Sequence, residues 1–222
     1  LKLIYTLLIS MILSGCYVSN VDSFMIESCN RSYFKPNTLQ RGEDLYCTQQ
    51  QFTGSDTVVL VVDPWIDNPT THLNDYFGAV MESRLIPMVI KSVDLGIPVI
   101  VLTNDPSLVS YNSNIHPTLD SLVRAGLIEL RYHTDDKTLG MVLIAGGVKN
   151  IIMCGFASNM CVLAAMLPLR KAGLKLFFIP EASAAVEFKD TWSTGAIHDY
   201  TSLIISQWLA RLISFDEFMK LN

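Results

Sequence analysis

Charge is scarce in this sequence. Asp, Glu, Lys and Arg make up 17% of its 222 residues, and no cluster of Lys and Arg stands among them. A nucleic-acid surface needs a basic stripe, whereas the net charge here is −5 and the isoelectric point near 5.3; nucleic acid is therefore not an expected partner. The five cysteines include no C-x-x-C pair, which argues against a zinc ribbon and a thioredoxin-type redox motif. Neither an internal repeat nor a low-complexity tract is present, so solenoid architectures are set aside. Apolar residues are plentiful instead: half the chain is hydrophobic, enough to build one substantial core.

The first segment reads as an address. Lys2 precedes the apolar run Leu3–Leu13, which is too short to span a bilayer as a resident helix and matches the apolar region of a secretory signal peptide. It ends in Leu13-Ser14-Gly15-Cys16, which resembles the lipobox of bacterial lipoproteins. That resemblance implies a signal peptide over 1–15, lipidation of Cys16 and a chain anchored in the membrane by its N-terminal lipid rather than spanning it. Tyr17, in place of Asp, points to the outer membrane of the cell envelope, facing the periplasm. Residues 16–55 are rich in Ser, Asn, Gln and Thr and read as a tether or ordered extension. In an oxidising compartment Cys29 and Cys47 can pair within it, contributing roughly 3 kcal/mol by closing a loop of the unfolded chain; two free thiols are the alternative.

The pattern changes at Asp56, and residues 56–222 read as one domain. Thr57–Val62 is a β-branched apolar run of the kind buried on both faces of a sheet. Further strands are expected at Ile97–Leu102, Leu127–Tyr132, Asn150–Cys154, Leu174–Ile179 and Ala210–Ser214, with helices at Met81–Leu95, Lys137–Ala145, Met160–Ala172 and Thr191–Leu209. Strands alternating with helices imply an α/β, Rossmann-like three-layer sandwich on a mostly parallel sheet of about six strands. Ligands of such sheets sit beyond the carboxyl ends of the strands. Asp63, Asn104, Asp105, Arg131 and the segment Gly155–Cys161 fall there.

Two of these segments carry a family resemblance. Asp63-Pro64-Trp65-Ile66-Asp67 resembles the opening D-x-Q-x-D motif of isochorismatase-like cysteine hydrolases, with Trp65 in the glutamine position. Gly155-Phe156-Ala157-Ser158-Asn159-Met160-Cys161-Val162 is similar to that family's nucleophile segment, and Glu181-Ala182-Ser183 stands where Asp-Ala-Ser usually follows the fifth strand. The likeness runs from about Asp56 to Phe218. It implies a hydrolase, most plausibly an amidohydrolase acting on a small-molecule amide or related C–N substrate through an acyl-enzyme on Cys161. No cofactor is expected.

The residue chemistry agrees with that assignment. A free thiol is mostly protonated at neutral pH, so Cys161 needs the N-terminal end of its helix and an acceptor such as Asp63. The resemblance further implies a cis peptide between Phe156 and Ala157, with the N–H groups of Ala157 and Cys161 as the oxyanion hole. Arg131 stands near the family's usual lysine, although the shortened stretch after it leaves His133 and Lys137 as alternatives. An arginine there supplies fixed charge but cannot shuttle a proton. Trp65 and Asn104 are candidates for the substrate pocket wall. Nicotinamidases of the family hold a metal with an Asp and two His; here Asp105 is followed by Pro106 and Ser107, so no metal site is expected. The other free cysteine, Cys154, reads as core. The family also implies possible homo-oligomers. The Trp65 and lysine departures motivate a second reading, a catalytically inactive, lipid-anchored binding or assembly protein on the same fold.

Overall fold

The computed structural model describes residues 23–31, 45–65, 74–109, 113–133, 136–186 and 193–222. The expected signal peptide, Cys16, Asp67 and His72 lie outside them. So does the side chain of Lys137.

Thr57–Val62 (β3) is buried at every position, as a β-branched run with no polar alternation should be. It lies at the heart of a parallel sheet with Val99–Thr103 (β4) and Glu129–Tyr132 (β5) on one side. Asn150–Phe156 (β6), Lys175–Ala184 (β7) and the short Arg211–Leu212 (β8) lie on the other. Helices cover both faces. Asn74–Val80 (α1) continues through a π-helical turn, Met81–Leu85, into Ile86–Asp94 (α2). Together with Pro117–Arg124 (α3) and Phe215–Met219 (α7) they pack Met81, Leu85, Met88, Val89, Leu119 and Phe218 on Val59, Val61, Val101 and Ile152. The opposite face of the sheet, with Val58, Leu60, Leu102 and Met153, receives Asp136–Ala145 (α4), Leu163–Lys171 (α5) and Thr194–Trp208 (α6). The three-layer α/β sandwich is therefore as the sequence indicates.

The sheet has eight strands rather than six. Phe24–Arg31 (β1) and Leu45–Phe52 (β2) form an antiparallel hairpin that extends the sheet beyond β8, in the order β2-β1-β8-β7-β6-β3-β4-β5. Both strands belong to the stretch read as a polar extension, and the reason lies in their period. Phe24, Ile26 and Ser28 are buried while Met25 and Glu27 are exposed, so burial alternates along the strand and only every second residue faces the core, a period that average composition hides. Phe24 stacks on Phe52, whose ring meets the edge of Phe177 at 4.7 Å. Cys29 and Cys47 are directly opposite in register and form a disulfide. Since β8 has two residues, Arg211 completes the joint, donating from Nε to Ser28 Oγ and from Nη2 to Ser28 O and Thr48 Oγ1.

β7 also runs past its expected end at Ile179, through Pro180 to Ala184. Proline is tolerated inside a sheet where the ladder is interrupted, and the pairing with β6 jumps from Met153↔Phe178 to Gly155↔Ser183. The intervening residues bulge outwards. Ser183 stitches the bulge, its hydroxyl donating to Ile179 O and accepting from Gly155 N–H.

At Gly155 the backbone of β6 lies close against that of β3. It has φ +115°, and a Cβ there would lie 2.1 Å from Val62 O. Both the space and the backbone conformation demand glycine. Replacing Gly155 with Ala is expected to cost more than about 3 kcal/mol, read as a lowered midpoint in urea unfolding.

Candidate active site

Asp63 follows the last residue of β3 with φ +48°, a left-handed conformation that Asp tolerates better than most side chains. Its N–H donates to Leu102 O, and its own carbonyl accepts from Trp65 N–H. The carboxylate is almost wholly buried. His133, one residue beyond β5, brings Nε2 to 3.1 Å from both carboxylate oxygens. Cys161 completes the group: one ligand-type atom from each of Asp63, His133 and Cys161 lies within 4.8 Å of the other two. Three strand ends thus deliver an acid, an imidazole and a thiol to one point.

Arg131 does not join this group. Its guanidinium pairs with Glu129 on the same strand, and its buried Nε has no hydrogen-bond partner among the described residues. The register explains the difference. Val62, Leu102 and Arg131 occupy one rung across β3, β4 and β5, so Arg131 is level with the residue before Asp63. At about 3.3 Å per residue and alternating faces, the next side chain on the Arg131 side is His133, and it lies beyond the strand end.

The segment from Phe156 to Val162, which carries Cys161, is held from three directions. The Phe156–Ala157 bond is cis, and Phe156 is buried against Phe77 of α1 at 4.8 Å. Cys161 sits in a π-helical turn, Ser158–Val162, that leads into α5, and Ala157 O accepts from both Met160 N–H and Val162 N–H. Asn159 clamps the chain after β7, donating from Nδ2 to Val186 O and accepting from Val186 N–H, both at 3.0 Å. Ser158 hydroxyl donates to His198 Nδ1 on α6, and His198 Nε2–H donates to Pro180 O in the β7 bulge. The roles of Asn159, Ser158 and His198 were not legible in the sequence, because each depends on a partner far along the chain.

Trp65 is half-buried and donates its indole N–H to Thr103 Oγ1 at 2.7 Å; its backbone bridges Ile115. This pins the loop after β3 to the end of β4. Asn104 is half-buried immediately after β4, at the carboxyl-terminal edge of the sheet that Asp63 also occupies. Asp105 closes a turn on Ser107 N–H and Oγ, and His116 caps α3 and bonds Glu82. Cys154 is fully buried in β6, which pushes its thiol well above the ordinary range.

No protein-family model matches this sequence, and no curated protein matches it. Solved structures do. A cysteine hydrolase from Pseudomonas syringae pv. phaseolicola 1448A superposes with a TM-score of 0.64 at 18% identity, over 76% of this chain and 93% of that one. An isochorismatase from Pseudomonas putida KT2440 gives 0.58 at 17%, over 73% and 90%. An octameric hydrolase of unknown specificity from Escherichia coli gives 0.56 at 15%, over 75% and 78%. The chain therefore has the fold of the isochorismatase-like cysteine hydrolases.

Burial lowers the pKa of His198, opposed in part by the Asp199 charge and the bond to Pro180 O. The ring is neutral when folded and takes up a proton more readily when unfolded. Its contribution to stability is therefore present above the unfolded value of about 6.5 and lost as pH falls through the lower folded value. A His198→Gln variant is expected to lose less stability than the parent between about pH 7 and pH 5, measured by urea unfolding across that range.

Proposed function

We propose that this chain is a cysteine hydrolase that cleaves a small amide or related C–N bond through an acyl-enzyme on Cys161. The observation that carries this reading is the meeting of Asp63, His133 and Cys161 at the ends of β3, β5 and β6. In that arrangement His133 takes the position that the sequence suggested for Arg131. Unlike a guanidinium, an imidazole both carries charge and exchanges a proton at neutral pH. Asp63 orients it and balances its charge, the logic of a base steadied by an acid.

The reaction follows from these parts. The Asp63–His133 pair takes the thiol proton, and the sulfur forms a bond to the substrate carbonyl carbon while the carbonyl electrons move onto oxygen. The N–H groups of Ala157 and Cys161 stabilise that oxyanion. Collapse breaks the C–N bond, and the departing nitrogen takes the proton held by the pair. Water then adds to the thioester, giving the carboxylic acid and restoring the thiol. Trp65 and Asn104 border the substrate.

The rate of Cys161 alkylation by iodoacetamide tests the assembly. Asp63→Asn and His133→Ala are each expected to lower it at neutral pH by about tenfold or more, and Arg131→Ala by less than about threefold. A larger effect from Arg131→Ala than from His133→Ala overturns the assignment. Incubation with small amides should leave an acyl mass on Cys161 in the parent and none in Cys161→Ser.

We also propose that the chain is lipidated on Cys16 and anchored at the cell envelope. The Cys29–Cys47 disulfide supports an oxidising location, since such bonds are rare in reducing compartments. Among the described residues no helix is long and apolar enough to cross a membrane. Cys16→Ser is expected to move the protein from the membrane to the soluble fraction, checked by fractionation and N-terminal mass. Self-association belongs to the same reading: Met141, Ile144, Met160 and Leu167 are exposed on α4, the nucleophile turn and α5, and the Escherichia coli neighbour is an octamer.

A further inference from the structure

Asp63, His133 and Cys161 bring three different donor atoms together: a carboxylate oxygen, an imidazole nitrogen and a thiol sulfur, one of each within 4.8 Å of the other two. That mixture is the donor set of zinc and similar borderline ions, whereas magnesium and calcium are held by oxygen. The spacing fits as well. Two donor atoms sharing a tetrahedral zinc at about 2.0 Å stand about 3.3 Å apart, and a thiolate at about 2.3 Å stands about 3.5 Å from each. His133 Nε2 is 3.1 Å from both Asp63 oxygens, so the pair already has nearly the separation that a shared ion requires. Cys161 is half-buried, and the His133 side chain is 19% exposed. The small closing movement therefore falls on side chains that are not packed shut.

The fold sets the three donors in place before any ion arrives. Asp63 is fixed by the left-handed turn after β3, with its N–H on Leu102 O. His133 follows β5 directly, and Cys161 lies in a turn fastened through Asn159 and Ser158. Ligands ordered in advance cost little to order on binding. The register matters here too. Had Arg131 met Asp63, the guanidinium would bring only N–H donors and no lone pair, and its charge would repel a cation. Asp105 is committed to its turn on Ser107 and takes no part.

We propose that Asp63, His133 and Cys161 form a zinc site, and that the bound ion holds the thiol in an unreactive state. On binding, the Cys161 S–H proton leaves to solvent and the freed sulfur lone pair forms the Zn–S bond; no electron is transferred. Nε2 of neutral His133 and one Asp63 oxygen supply two more lone pairs, and water takes the fourth position. The sulfur lone pair needed for attack on a carbonyl is then engaged by the metal, and so is the imidazole nitrogen needed for its proton. Zinc binding stands on the geometry alone, whereas its effect as an off-switch rests on the hydrolase reading proposed above.

The test uses the full chain with its Cys29–Cys47 disulfide intact. Calorimetric titration with zinc chloride is expected to show saturable binding, and magnesium chloride none. His133→Ala and Cys161→Ser should each weaken zinc binding by about tenfold or more, since even the outer partners of a metal ligand are worth that much. Arg131→Ala should leave it unaltered, and circular dichroism checks that each variant keeps the fold. Cobalt chloride reads the site in the parent itself: a thiolate–cobalt bond gives an intense near-ultraviolet charge-transfer band, expected in the parent and absent from Cys161→Ser. Zinc should slow alkylation of Cys161 by iodoacetamide about tenfold or more, and EDTA should restore the rate. No saturable zinc binding, equal binding in Cys161→Ser, or no charge-transfer band overturns the site. An unchanged alkylation rate in saturating zinc, or faster amide hydrolysis with zinc, overturns the off-switch. The hydrolase reading is judged separately, by the acyl mass on Cys161 in metal-free protein. An acyl mass without the cobalt band keeps that reading and overturns the zinc site; the band without an acyl mass keeps the zinc site and overturns its role as a switch.

Discussion

The contact between Gly155 and Val62 governs the geometry of the whole site. Where β6 passes β3, the backbones come so close that a single methyl group would overlap the Val62 carbonyl. Asp63 is the next residue along one strand, and the cis bond and the Cys161 turn follow within a few residues on the other. Close packing at this rung therefore carries the acid and the thiol to the same depth beyond the sheet. Interiors packed at crystal-like density transmit such constraints faithfully, so a backbone contact decides the separation of two side chains that are nearly a hundred residues apart.

Around that contact the structure surrounds the thiol with groups that each do two jobs. Ser183 stitches the bulge of β7 and also accepts from Gly155 N–H. His198 joins the same bulge to the Cys161 turn through its two ring nitrogens. Asn159 fastens the turn to the chain leaving β7. Rigid support from such neighbours is what holds a reactive group within the narrow tolerance that chemistry needs. The bulge of β7 at Pro180 is thus the element on which the turn leans.

The hairpin at the far edge meets a different requirement. A short strand such as β8 leaves unpaired backbone groups at a sheet edge, and β1 covers it only at Cys29↔Leu212. Arg211 and the Phe24–Phe52–Phe177 contacts supply the cohesion that this brief pairing lacks. The disulfide ties the two added strands to each other at the same level.

The parallel core was legible in the sequence because strands buried on both faces are apolar along their length, and Val58–Val62 and Ile151–Cys154 show that directly. The acid and the thiol were legible for a related reason: Asp63 and the Gly155–Cys161 segment sit where apolar runs stop, and strand ends are where such sheets present chemistry. The hairpin was not, since only alternate residues of β1 face the core and β2 reads Thr48-Gln49-Gln50-Gln51 through its middle. Nor was the choice among Arg131, His133 and Lys137. Arg131 lies within β5 and the other two follow it, and local sequence does not contain the stagger between β5 and β3 that sets which of them reaches Asp63. Composition and run length determine which segments enter the sheet; the register between strands, a property of chains distant in sequence, decided that the imidazole rather than the guanidinium meets the acid.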